Sequence, residues 1–143
     1  CVAFSEMGHF MPMSHVASAL IEKGHEVFFI TNEDKYNGHK SSKVLTSIGC
    51  INQIYTVEGI TREMMFPDRR EGTKDPFEEC LEIWEPLVIS EIEKIKPDIV
   101  VCDFFSRVGI TAADKMGIPS VINAPALVEF MMNWGFAGAP DTN

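Results

Sequence analysis

The chain alternates short runs of β-branched and aromatic residues with longer segments in which apolar residues recur every three or four positions. The short runs have the length and continuous hydrophobicity of strands covered on both faces, and the longer segments have the period of amphipathic helices. This alternation predicts βαβ units and therefore an α/β fold with a doubly wound parallel sheet. The five predicted strands are Val2–Phe4, Val27–Thr31, Ile51–Val57, Ile99–Cys102 and Pro119–Ile122.

Helix signals fill the segments between the predicted strands. The first helix is expected to begin at Pro12, because proline lacks the N–H that would be unpaired at a first helical position anyway. It should end at Lys23-Gly24 and carry Val16, Ala19 and Leu20 on one face. The other predicted helices are Ser42–Ile48, a long helix that opens at Asp75-Pro76-Phe77-Glu78, is kinked at Pro86 and ends at Pro97-Asp98, Ser106–Met116 and a short helix Leu127–Trp134.

Composition excludes several classes of protein. The 143 residues suffice for one domain with a real core, and 12 Lys and Arg against 21 Asp and Glu give a net charge of −9. That charge has the wrong sign for a protein that binds nucleic acid by neutralising phosphates, so no nucleic acid partner is expected. The four cysteines form no CxxC pair, and no GxGxxG or GxxxxGK[ST] loop occurs, so neither a zinc site nor an NAD or ATP site is predicted.

Two titratable side chains follow strands that should be neighbours. In the usual strand order 3-2-1-4-5, ligands bind where the first and fourth strands end. Here the first strand leads into the loop of His9, and the fourth ends at Asp103. An imidazole held by a carboxylate can act as a general base. The same positions would also suit a loop histidine packed against Pro12 and an aspartate that is a polar strand end or a helix cap, so topology alone leaves both interpretations open.

Two segments of the chain resemble the UDP-dependent glycosyltransferases of the GT-B fold. Gly8-His9-Phe10-Met11-Pro12 and the run from Lys23 to Thr31 are similar to the amino-terminal signature of that family, and Lys96–Asp103 with Ala112–Val121 resembles a second family segment. The resemblance implies the amino-terminal half of a GT-B fold. Residues 1–143 would then be a single Rossmann-like acceptor-binding domain, truncated at both ends, with the carboxyl-terminal donor domain absent.

The resemblance also implies a reaction. His9 matches the family's catalytic base, which deprotonates an acceptor hydroxyl for direct attack on the anomeric carbon of a UDP-sugar, with inversion. Asp103 matches its carboxylate partner. The expected activity is that of a hexosyltransferase with a UDP-sugar as co-substrate, bound mainly by the missing domain, and with no metal or other cofactor. The 143 residues alone are expected to be inactive.

Apolar and flexible side chains near the predicted crevice suit a hydrophobic small-molecule or lipid acceptor. Several of them lie in an irregular loop over residues 58–74, and long loops are often functional. The candidate acceptor-binding residues are Met7, Phe10, Met64, Met65, Phe66, Phe104 and Met131.

Two other functions remain open at this point. The chain could be a non-catalytic GT-B-like binding module or a subunit that needs a separate donor-binding chain, or it could be a different doubly wound enzyme, such as a flavodoxin-like or epimerase-type domain. A cytoplasmic location is favoured, with a luminal domain on the endoplasmic reticulum membrane as the alternative. The sequence does not identify the sugar or the acceptor.

Overall fold

A computed structural model describes residues 1–4, 7–32, 38–50, 54–57 and 76–124 of the chain. Helices and strands alternate throughout these residues, as the hydrophobic pattern predicts. The loop over residues 58–74 and the predicted helix Leu127–Trp134 lie outside the described residues. The elements are α1 (Met7–Glu22), β1 (Phe29–Asn32), α2 (Gly38–Ser47), β2 (Ile54–Val57), α3 (Pro76–Ile95), β3 (Val100–Asp103), α4 (Arg107–Met116) and β4 (Ser120–Asn123).

The strands form two parallel pairs that are joined by the first residues of the chain. β1 pairs with β2, and β3 pairs with β4, both in parallel. Residues 1–4, called the central segment below, lie between the two pairs, because Val2 bridges in parallel to Ile30 of β1 and to Cys102 of β3. The spatial order is therefore β2, β1, central segment, β3, β4, which confirms the predicted order 3-2-1-4-5.

Side chains of the central segment point alternately to the two faces of the sheet, as in any extended strand. Val2 and Phe4 pack into a core with residues of α3 and α4, including Trp84 and Val108. Ala3 packs into the opposite core. That second core is built from α1, α2 and the residues around β1, and its buried members are Ala3, Phe10, Met13, Ala17, Val27, Phe29, Leu45 and Cys50. Both faces of the sheet are thus covered by helices, which is the doubly wound arrangement.

The cysteine of β3 belongs to the first of these cores. Cys102 is fully buried, and this burial raises the pKa of its thiol to about 12. The thiol therefore stays protonated at neutral pH. Cys102 thus packs as a small apolar side chain, as is typical of a free cysteine inside a hydrophobic strand.

The first helix differs from the prediction in its start and in its buried face. α1 begins at Met7, and Pro12 lies inside it. At this position proline lacks the N–H that would otherwise donate to the carbonyl of Gly8 in the first turn, so the helix forgoes one of its hydrogen bonds there. Ala19, predicted on the inward face, is exposed. The inward face instead begins with Phe10, six residues before Val16, and continues through Met13 and Ala17 to Leu20, which packs against this core as predicted.

Helix α4 crosses the sheet closely because it carries a glycine at the point of contact. A Cβ atom added at Gly109 would lie 2.6 Å from Sγ of Cys102 and 3.0 Å from Cβ of Val2. Both neighbours are buried and belong to the sheet, so neither can move away freely. Glycine is therefore needed at this position by the packing of the helix on the central segment and β3.

We expect Gly109→Ala to lower the free energy of unfolding by about 1–3 kcal/mol, because the added methyl group overpacks the core. Urea denaturation monitored by circular dichroism measures this change. Gly8→Ala is the matched control, since a Cβ at Gly8 meets nothing within 4 Å and alanine favours helix by up to about 1 kcal/mol. Equal stability of the two variants would contradict the close contact.

Candidate active site

The carboxylate of Asp103 is buried at the carboxyl end of β3. Its side chain is 0% exposed, and its backbone N–H donates to the carbonyl of Val2 over 2.9 Å. Two residues further on, the N–H of Phe105 donates to Oδ2 of Asp103 over 3.0 Å. This is the hydrogen bond of an Asx turn, which holds the carboxylate in one orientation.

The imidazole of His9 faces this carboxylate. His9 is the third residue of α1, which starts shortly after the central segment. Its Nδ1 lies 3.2 Å from Oδ1 and 3.1 Å from Oδ2 of Asp103. The structure thus brings together the two residues that follow the first and fourth strands. It places His9 in the first helical turn rather than in a loop before the helix.

The pair has the arrangement that proton transfer requires. A neutral imidazole that donates its Nδ1–H to Asp103 leaves the lone pair of Nε2 available to accept a proton. The side chain of His9 is 24% exposed, so the ring is accessible on one side. If Nε2 takes up a proton, the buried carboxylate stabilises the imidazolium that forms. The site can therefore deprotonate a hydroxyl group that approaches from solvent.

Two aromatic rings flank the imidazole. The centroid of Phe105 lies 4.6 Å from that of His9 in an edge-to-face arrangement, and Phe104 lies 5.5 Å away. The two phenylalanines also contact each other, with centroids 4.4 Å apart. Phe104 is nearly buried and Phe105 is partly exposed. The imidazole therefore has apolar side chains beside it.

The structure places the candidate acceptor-binding residues Phe104 and Phe10 in different environments. Phe104 lies at the site, but Phe10 does not, because its side chain is 0% exposed and packs against Phe29 with centroids 5.2 Å apart. The expectation that Phe10 contacts an acceptor is corrected accordingly: the helix starts earlier than predicted, and this turns Phe10 into the core. Met7 begins α1, but its side chain lies outside the described residues. Also outside the described residues are Met64, Met65, Phe66 and Met131.

The sequence did not indicate the roles of the backbone between Asp103 and α4. The Asx turn joins Asp103 to Phe105, and the N–H of Ser106 donates to the carbonyl of Asp103 over 2.8 Å. An aspartate at the end of a strand, followed closely by the N-terminus of a helix, is a signal for such a turn.

A cavity of about 640 Å³ lies at the opposite, amino end of the strands. Its lining includes His25, Lys96 and Ile99. His25 therefore lies at the end of the sheet opposite to His9. Ligands of open parallel sheets bind at the carboxyl ends of the strands, so the His9–Asp103 edge is the better candidate for the active site.

The described ranges contain neither a metal-binding cluster nor a membrane-spanning helix. No group of three or more His, Cys, Asp or Glu residues among them could hold a metal ion. No helix in this part of the chain is long and apolar enough to cross a membrane.

Comparison with known proteins gives matches at the level of structure. No protein-family model matches the sequence, and no curated protein matches it. A crystal structure of the glycotransferase of kitacinnamycin is similar, with a TM-score of 0.67 and 19% identity, over 94% of this chain and 32% of that chain.

Two further solved structures show the same likeness. SsfS6, a glycosyltransferase of Streptomyces sp. SF2575 complexed with thymidine diphosphate, has a TM-score of 0.61 and 18% identity over 85% of this chain and 36% of its own. UGT89C1 of Arabidopsis thaliana, complexed with UDP-L-rhamnose, has a TM-score of 0.57 and 14% identity over 99% of this chain and 39% of its own. The chain thus spans about a third of the length of the structures that it matches, and it has the fold of one Rossmann-like part of a GT-B glycosyltransferase.

Proposed function

We propose that the chain is the amino-terminal, acceptor-binding domain of an inverting, UDP-dependent glycosyltransferase, with His9 as general base and Asp103 as its partner. The observation that carries the proposal is the contact of 3.1–3.2 Å between His9 and the buried carboxylate of Asp103. It lies at the carboxyl edge of a sheet whose fold is shared with glycosyltransferases. The complexes of such structures with UDP, UDP-L-rhamnose and thymidine diphosphate support a nucleotide-sugar donor.

The chemistry follows from the geometry of the pair. Nε2 of His9 accepts the proton of an acceptor hydroxyl, and the oxygen attacks the anomeric carbon of the sugar. The new bond between oxygen and carbon forms as the bond from that carbon to the diphosphate breaks, and the nucleoside diphosphate leaves with the electron pair. One displacement inverts the anomeric centre. Asp103 keeps the imidazole oriented and stabilises its positive charge.

The acceptor is a hydrophobic small molecule or lipid that carries a hydroxyl group. Phe104 and Phe105 place apolar surface next to the base, so an acceptor with an apolar body can pack there while its hydroxyl group reaches Nε2. Met7 and Phe104 remain the proposed contacts on the described elements. Met64, Met65, Phe66 and Met131 are proposed from the sequence alone.

The donor site belongs to a second domain outside these 143 residues. The net charge of −9 disfavours a diphosphate on this domain through simple repulsion. Sugar transfer then requires both domains, since the reacting carbon is presented across the crevice from His9.

We therefore expect the isolated 143-residue chain to show no transfer from a UDP-sugar, and to bind UDP more weakly than about 1 mM by isothermal titration calorimetry. The positive control is a longer protein that joins this chain to its donor domain, and it should bind UDP and transfer the sugar to a hydrophobic alcohol. Clear UDP binding to the isolated chain at millimolar affinity or better would contradict the assignment of this half.

A further inference from the structure

Ser106 makes an unusual hydrogen bond for a residue at the start of a helix. It is the N-cap of α4, where a serine hydroxyl commonly accepts a hydrogen bond from the second or third N–H of its own helix. No such capping bond is formed by its side chain. Its Oγ instead accepts the backbone N–H of Phe4, 3.1 Å away and 102 residues distant in sequence.

This hydroxyl joins the two parts of the chain that carry the catalytic pair. Phe4 ends the central segment, and α1 with His9 begins three residues later. On the other side, the N–H of Ser106 donates to the carbonyl of Asp103, within the same turn in which Phe105 holds the carboxylate. Ser106 is 0% exposed, so water does not replace its bond to Phe4. Its hydroxyl thus bonds the end of the central segment to the turn that follows Asp103.

We propose that Ser106 is a positioning residue for the His9–Asp103 pair. The contacts of 3.1 and 3.2 Å between them already lie at the long end of the range for a hydrogen bond. Loss of the hydroxyl leaves the buried N–H of Phe4 unpaired, and the central segment moves to satisfy it. A shift of a few tenths of an ångström there separates the imidazole from the carboxylate.

The expected change in kcat rests on the proposed function, whereas the expected change in the tautomer of His9 does not. In the transferase, Ser106→Ala should lower kcat about 10- to 100-fold, the order expected for a misplaced catalytic group, with KM for the UDP-sugar unchanged. In the isolated chain, nitrogen NMR of the imidazole should show His9 as the single Nδ1–H tautomer in the parent protein. In Ser106→Ala it should show a mixture of the two tautomers.

Two further variants make the test decisive. Ser106→Cys keeps the volume of the side chain but is only a weak acceptor, so it should reproduce the loss even if Ser106→Ala fails to fold. Ser14→Ala is the matched control, because Ser14 is also buried but its hydroxyl bonds only to Met11 within α1. It should leave kcat and the tautomer unchanged.

The outcomes separate this inference from the proposed function. An unchanged tautomer, with kcat within about twofold of the parent in the Ser106 variants that fold, would overturn the positioning role. If His9→Ala retains full transfer while the tautomer of His9 still depends on Ser106, the positioning role stands and the proposed function fails.

Discussion

Replacing His9 with alanine should lower kcat for sugar transfer by about 10²- to 10⁴-fold, the contribution of a general base to proton transfer. The imidazole of His9 is accessible and contacts the buried carboxylate of Asp103 at the carboxyl edge of the described sheet. Its Nδ1 lies 3.1 Å from Oδ2 of Asp103. Its removal leaves the acceptor hydroxyl without a base. Steady-state kinetics with a saturating UDP-sugar measure the effect, in the protein that contains both domains.

The control lies on the same helix. His15 is exposed, so His15→Ala should keep kcat within about twofold of the parent, as surface substitutions away from a site usually do. KM for the UDP-sugar should be the same in all of these variants, because the proposed function places the donor on the other domain, across the crevice. Full transfer by His9→Ala would refute the role of His9 as base.

The variant Asp103→Asn tests the role of the other member of the His9–Asp103 pair. The amide keeps the shape of the side chain but removes the charge that stabilises an imidazolium, and its NH₂ group can favour the wrong tautomer of His9. We expect a loss of transfer comparable to that of His9→Ala, with little additional loss in the double variant. Additive losses would show instead that the two residues act independently.

The second prediction concerns the free energy of unfolding and the contribution of Trp84 to it. This side chain is 0% exposed and stacks on Phe4 with ring centroids 4.3 Å apart, which ties α3 to the central segment. We expect Trp84→Ala to lower the free energy of unfolding by about 3–5 kcal/mol, because it leaves a cavity between helix and sheet. Urea denaturation of the 143-residue chain tests this value.

Two variants separate the ring from its N–H group. Nε1 of Trp84 is buried and has no hydrogen-bond partner among the described residues. Trp84→Phe keeps an aromatic ring on Phe4 and removes this unpaired donor, so it should cost much less than Trp84→Ala. Leu87→Ala on the same helix should cost less than about 1 kcal/mol, because Leu87 is 39% exposed. A small effect of Trp84→Ala would show that α3 does not depend on this contact.

The order of elements could be predicted because each has a local signal. The hydrophobic runs that became β1 and β3 are continuous, as buried parallel strands require. Helix ends carried glycines, and Gly117 indeed adopts a left-handed conformation with φ 67° at the end of α4. The strand order and the meeting of His9 with Asp103 then followed from the rules of doubly wound sheets.

The details of α1 could not be predicted in the same way. Pro12 is favoured at the first position of a helix, so it indicated a start one turn too late. Apolar residues occur on most sides of this helix, as Val16, Ala19 and Ile21 show, so periodicity did not fix which face is buried. Phe10 was consequently placed at the acceptor site, although the structure buries it in the core.

Long-range hydrogen bonds could not be predicted from the sequence either. The bond from Phe4 to Ser106 joins residues 102 positions apart, and a single serine before a helix predicts only a local cap. Such contacts depend on how two elements meet in space, and no local pattern of residue types encodes that distance.

The central segment has a consequence for the way the chain folds. β1 with β2, and β3 with β4, can each form through one crossover, whereas Val2 must reach Cys102 across most of the described chain. Closing that longer loop costs more entropy, and we expect it to happen last. The central segment can join β1 early, since Val2 pairs with Ile30 through one crossover, so the late contact is the one with β3, which brings the side of His9 to Asp103. An intermediate with both strand pairs would therefore hold nearly all of the sheet without the contact between His9 and Asp103, so the proposed catalytic pair would be completed only in the final folding step.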